Sequence, residues 1–162
     1  MKAMKAMMYP RGTCYHEAGH TVVRHIIGME GLAVEALRDQ SGRTHGTMHI
    51  LALRDQYDVW DHIVYILAGI YAEARASRKS AALVTLLGGQ DDRDAALVPI
   101  RWLVAGGLAT DEDAAWRRAE HMTRVCIRRE WPRISAVAER LRVSGRLEAA
   151  EVAELLNGSG SD

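Results

Sequence analysis

Tyr15-His16-Glu17-Ala18-Gly19-His20-Thr21 is the stretch around which the rest of the chain has to be arranged. In a helix its two histidines sit about 40° apart around the axis and one turn along it, so both imidazoles point the same way and can grip one metal ion. Glu17, about 100° round from His16, is poorly placed as a third ligand and well placed to reach a water on the metal. That is the metal-plus-base arrangement of zinc hydrolases. The bland alternative is a pair of histidines satisfied on a helix surface, and a chance match of this pattern has a probability on the order of a few per cent. Gly19 tilts the balance. A glycine inside a helix costs about 1 kcal/mol relative to alanine, and its presence between the histidines predicts a close approach by another piece of backbone or by a metal-site element.

The 162 residues fit one domain, large enough to hold a core without staples. Lysine and arginine number 21 and aspartate and glutamate 21, so no global charge draws the chain to nucleic acid or to an anionic membrane. Cys14 and Cys126 have neither the number nor the spacing of a zinc finger or a disulfide framework, which predicts a reducing, cytoplasmic setting. Cys14 stands two residues before His16 and is therefore a candidate metal contact or nucleophile; a small half-buried side chain is the plainer reading. Lys2 and Lys5 imitate the start of a signal peptide, but Pro10-Arg11-Gly12 interrupts the apolar run that should come after them. The longest apolar stretch, residues 63–72, is too short to span a bilayer.

Outward from the motif, the first helix is predicted to start at a Thr13 cap and to stop at Gly28. Residues 32–53 have the texture of a β-hairpin or small sheet, with Asp39-Gln40-Ser41-Gly42 as turn material. His45 and His49 fall on one side of its second strand, but four strand residues separate them by about 13 Å, too far for one metal. They are expected to line the surface or a cleft. Val59, Ile63, Ile66, Leu67, Ile70 and Ala74 recur at helical spacing and predict a core helix over about 55–77. Residues 80–90, with Gly88-Gly89 at their end, are expected to be a loop or short turn. Asp91 and Asp92 open a third helix where its dipole favours acid, with Pro99 bending it and Gly106-Gly107 ending it. Thr110 is the predicted cap of a fourth helix over 111–130, whose arginines balance against acids as a solvated face. Pro132 starts a fifth, and residues 147–156 form a last short one.

A catalytic zinc usually takes three protein ligands, so the motif needs one more. Two carboxylates compete for that place. Glu73 lies among alanines on an apolar helix and wants a partner; its plain alternative is pairing with Arg75 or Arg78. Asp92 lies at a helix start, where acid is routine, but small residues around it allow a close approach to the first helix.

Tyr15 with the HEAGH core, then Leu67-Ala68-Gly69-Ile70-Tyr71-Ala72-Glu73, then Gly88-Gly89-Gln90-Asp91-Asp92, resemble the peptidase domain of the FtsH-type AAA+ zinc proteases. Trp131-Pro132-Arg133-Ile134 through Ala138-Glu139-Arg140-Leu141, together with residues 147–156, resemble the closing helices of that domain. Carried over by position, the resemblance implies one zinc ion per chain on His16, His20 and Asp92, with Glu17 as the catalytic glutamate. The family's glycine-arginine-x-alanine-glutamate segment corresponds to residues 69–73, which makes Glu73 a residue that orients a ligand. Ile70 stands where that family usually has arginine, and Leu86-Leu87 stand where hydroxyl residues are common.

The expected fold is mainly α with a small β-hairpin or sheet, a helical zinc metallopeptidase domain over 9–156 between a flexible segment 1–8 and a disordered tail 157–162. The expected activity is that of a zinc metalloendopeptidase working without an ATPase on the same chain, since no Walker A pattern occurs. Its substrates would be peptides or unfolded protein segments, bound as an added strand along 44–50. A homo-oligomer and a separate ATPase are partners the resemblance allows; nucleic acid and a membrane span are not expected. The alternative is a metal-binding, non-proteolytic adaptor. Two imidazoles and a carboxylate also suit iron or cobalt, and the preference for zinc comes from the resemblance.

Overall fold

The computed structural model describes residues 8–28, 34–35 and 56–158. The first helix, α1, covers Arg11–Ile26. It starts ahead of the expected Thr13 cap, because Pro10 takes the cap position with the fixed φ and the missing N–H that suit a helix start. Val34–Glu35 (β1) comes next, and then α2, Gln56–Ser77, about 33 Å long. All six residues of its predicted apolar stripe are buried.

The segment expected to be a loop or short turn holds one capped α turn and a kinked turn rather than an irregular loop. Ser80 accepts a hydrogen bond from the Leu83 amide at 3.1 Å and so caps one α turn, α3, Ala81–Val84. A wider π turn over Thr85–Gly89, broken by a kink at Gly88 whose φ of 170° and ψ of −11° are not helical, then leads into α4, Gln90–Ala105, with Pro99 buried inside it. The next helix, α5, is Glu112–Arg129, and its cap is Asp111 rather than Thr110: the Asp111 carboxylate accepts from the Ala114 amide at 2.7 Å. Helix α6 covers Trp131–Ser144 with proline in its first turn, as expected. Leu147 is not helical. Arg146–Leu147 forms β2, and α7 covers Ala149–Gly158, so Asn157 and Gly158, assigned to the tail, belong to a helix.

Strands β1 and β2 pair antiparallel, Val34 opposite Leu147 and Glu35 opposite Arg146. Among the described residues, the partner of the Val34 segment is a strand near the end of the chain. The proposed second strand, with His45, His49 and the suggested substrate edge 44–50, lies outside the described residues.

Helix α2 is the central element. Helices α1, α4 and α5 pack on it, α6 lies on the other side of α1, and α7 covers α6. Ile63, Leu67, Ile100, Ile134 and Leu141 are fully buried where these helices meet. Each such side chain contributes about 1.5–3 kcal/mol of burial free energy. The turn after α6 is fixed by Gly145, whose φ of +74° favours glycine and whose α-carbon faces the Tyr9 ring too closely for a side chain. Tyr9 in turn donates its amide to the Arg142 carbonyl at 3.0 Å, and Arg142 also contacts the Met8 sulfur at 3.9 Å. The chain is mostly helical, and no helix among the described residues is long and apolar enough to cross a membrane.

Candidate metal centre

Helix α1 presents two different faces. Cys14 and Tyr15 point to α6: the Tyr15 ring stacks on Trp131 with centroids 5.2 Å apart, and its hydroxyl donates to Glu139 at 3.1 Å. Cys14 is fully buried, burial pushes its thiol up to about 11, and it is not among the side chains whose donor atoms converge near His16. The opposite face carries His16 and His20 onto α2.

Small residues set how close the two helices come. A Cβ on Gly19 would lie 2.6 Å from the Ala68 carbonyl oxygen and 2.8 Å from the Ala72 methyl, which is the close approach that the glycine predicted. Gly69 does the same from the other side. A Cβ there would stand 2.6 Å from His16 Nε2 and nearer still to His20 Nε2. Only a bare backbone at position 69 leaves room for the two imidazoles.

Asp92, in the first turn of α4, closes the group. Its Oδ2 lies 2.9 Å from His16 Nε2 and 3.4 Å from His20 Nε2, and the two Nε2 atoms are 3.2 Å apart. Ligand atoms held tetrahedrally at zinc-type bond lengths are about 3.3–3.5 Å from one another, so the triangle already has nearly the right size. His16, His20 and Asp92 are also the one group among the described residues whose donor atoms converge in this way. Of the two carboxylates left open by the sequence, Asp92 is the one that joins the histidines.

Glu73 takes the other role. Its Oε2 lies 3.1 Å from His16 Nδ1, and the Tyr65 carbonyl lies 2.9 Å from His20 Nδ1. A carbonyl can only accept and an ionised carboxylate can only accept, so both Nδ1 atoms donate. In the neutral rings this tautomer leaves both Nε2 lone pairs aimed at the Asp92 carboxylate. Three acceptors then converge, and one positive charge must sit among them, either a proton or a metal ion. In the metal-free chain a proton fills that place. Burial works against charge on His16, but the hydrogen bonds that the protonated ring donates to the Asp92 and Glu73 carboxylates outweigh it and push the imidazole up to about 10. Burial likewise opposes charge on Asp92, and its bonds to the two histidines still hold its carboxyl well below the usual range.

Glu17 is half-buried next to His16, and its charge adds to the field that raises the His16 imidazole. Its carbonyl accepts from the Thr21 hydroxyl at 2.7 Å, while its carboxylate has no hydrogen-bond or ion-pair partner among the described residues. The acid is therefore free to handle a proton. Ile70, at the position where the resembled family has arginine, packs its side chain under Gly89, and Leu86 and Leu87 are exposed on the π turn.

Two contributors escaped the sequence. The Tyr65 carbonyl is a backbone group and leaves no residue-type signal. Gly69 did leave one, a glycine in the middle of an apolar helix, the same signal that made Gly19 informative. No protein-family model matches the chain, and neither does any curated protein.

Proposed function

We propose that the chain is a zinc-dependent metallopeptidase of the FtsH type that hydrolyses peptide bonds in peptides or unfolded protein segments. The observation that carries this reading is the convergence of two imidazole nitrogens and one carboxylate, with both rings held from behind and, alongside, a glutamate whose carboxylate has no partner among the described residues. His16, His20 and Asp92 would hold the ion, and the donor set and the size of the triangle fit zinc. When bound, zinc supplies the positive charge that makes a water nucleophilic near neutral pH.

The other groups have roles of their own. Glu17 accepts the proton lost by the attacking water and returns it to the nitrogen of the leaving amine. Glu73 and the Tyr65 carbonyl fix the tautomers and ring orientations of His16 and His20. Gly69 leaves the space in which the two rings meet.

Metal analysis of the purified chain, together with cleavage of an unfolded protein such as casein, tests this directly. The parent and the Glu17→Gln variant should both carry one zinc per chain, and only the parent should cleave. Zinc in both with cleavage in neither would favour the metal-binding adaptor, and absence of metal would sink both readings.

A further inference from the structure

The end of α2, the start of α3 and one face of α5 border an open, concave pocket of about 500 Å³. Five cationic side chains line it: Arg75, Arg78, Lys79, Arg124 and Arg128. None of the five makes an ion pair among the described residues. Glu120, the carboxylate that reaches this region, accepts the hydrogen bond of the Tyr71 hydroxyl in the pocket wall. The chain as a whole is neutral, with 21 charges of each sign, so this concentration of positive charge is local rather than a reflection of a basic protein.

The arginines are also partly positioned in advance. The Arg75 guanidinium lies 4.5 Å from the Trp131 ring centroid, and that of Arg124 lies 5.5 Å from that of Tyr71. Aromatic faces restrain the guanidinium planes, which lowers the entropy lost when their paired N–H groups meet a forked anion. A single carboxylate would neutralise one charge of five. An oligophosphate brings three or four charges and many acceptor oxygens in a compact chain, the geometry that arginine forks match best. A pocket of this volume suits a small molecule, whereas a nucleic-acid strand needs a longer charged track.

From these contacts we infer that the pocket is an oligophosphate site, taking a run of at least three phosphoryl groups, either free or carried on a nucleoside. It is independent of the metal centre: none of its lining residues is a metal ligand or Glu17. The test is a titration of the full chain with inorganic tripolyphosphate, ATP and AMP at physiological ionic strength, monitored by calorimetry. Tripolyphosphate should bind one to one, and AMP at least about tenfold more weakly. ATP tighter than tripolyphosphate identifies the nucleoside-borne source, and equal affinity the free one.

Arg75→Ala and Arg124→Ala should each weaken binding about tenfold or more, the loss expected for a charge-assisted hydrogen bond. Arg140→Ala, whose side chain faces Glu151 instead, should leave it unchanged. Because oligophosphates also chelate metals, the titration is repeated on Asp92→Ala, where binding must persist. Equal affinity in the Arg75→Ala and Arg124→Ala proteins, dependence on Asp92, or tighter binding of an RNA oligomer through the same arginines would each overturn the assignment.

Discussion

Glu73 Oε2 and His16 Nδ1 lie 3.1 Å apart across the crossing of α1 and α2, so a carboxylate on one helix fixes the ring orientation of a histidine on the other, with its Nε2 turned towards Asp92. The same carboxylate sits against the start of α1, where a Cβ on Gly12 would lie 2.9 Å from Glu73 Oε1. The contact thus ties the docking of the helices to the orientation of the His16 ring.

That relationship separates Glu73 from Asp92 in a mutational test. Glu73→Ala removes the acceptor behind His16 and should lower zinc affinity about 10–100-fold while leaving the site able to load. Glu73→Gln keeps a carbonyl oxygen in reach and should fall between Glu73→Ala and the parent. Asp92→Ala removes a ligand and should lose zinc outright, whereas Asp94→Ala, whose carboxylate only accepts from Gln90 at 2.7 Å, should retain it. Competition with a chromophoric chelator measures all four. Equal zinc affinity for Asp92→Ala and Asp94→Ala would remove Asp92 from the ligand set.

Gly69→Ala probes the space between the rings. The added methyl would stand 2.6 Å from His16 Nε2, with a buried helix crossing around it and little freedom to yield. Overpacking of this kind costs about 1–3 kcal/mol. The expected result is a lowered Tm in the metal-free protein and loss of the further rise that zinc gives the parent. A Gly69→Ala protein that gains as much stability from zinc as the parent does would show that the rings can meet without that gap.

The metal-free site also predicts a pH dependence. The His16 imidazole is raised from an ordinary 6.5 to about 10 by its carboxylate neighbours, against the opposing effect of burial. A raised folded-state value means that the stabilisation is fully present below the unfolded value and is lost as pH rises through about 10. Asp92 is the other half of the same interaction, with a depressed value, so its stabilisation is present above the unfolded value of 3.8 and is lost as pH falls further. Metal-free stability should therefore decline from pH 7 towards pH 10. Zinc must displace the His16 proton, so its apparent affinity should rise over the same window, with roughly one proton released per zinc at pH 7. Calorimetry in buffers of different ionisation enthalpy counts that proton. Affinity independent of pH between 6 and 9 would contradict the shared-proton arrangement.

How far the residues announced this site depends on the kind of signal each one left. The α2 stripe was legible because six apolar residues repeated at helical spacing over several turns, and Gly19 because a glycine there needs a packing reason. Residues 80–90 were not. Their four-residue helix is too short to show a period; Gly88-Gly89 did mark a break, the kink at Gly88, but not the turns on either side of it. The Arg146–Leu147 strand is two residues long, and its pairing with Val34–Glu35 is set by tertiary contact. At the start of α5, Thr110 and Asp111 are both good capping residues, and only the backbone course decides between them.

That last choice can be measured apart from the metal centre. The Asp111 carboxylate accepts from the Ala114 amide at 2.7 Å, and Thr110 is exposed with no hydrogen bond or ion pair among the described residues. Replacing a capping aspartate by alanine removes the acceptor for a helix-end N–H and typically costs about 1 kcal/mol. For a chain of this length that corresponds to a Tm lower by about 2–4 °C. Asp111→Ala should show that loss and Thr110→Ala almost none, both by thermal unfolding monitored by circular dichroism. Neither should alter zinc affinity, because α5 supplies no atom to the triangle of His16, His20 and Asp92. The opposite order of stabilities would return the cap to Thr110 and shift the start of α5 by one residue.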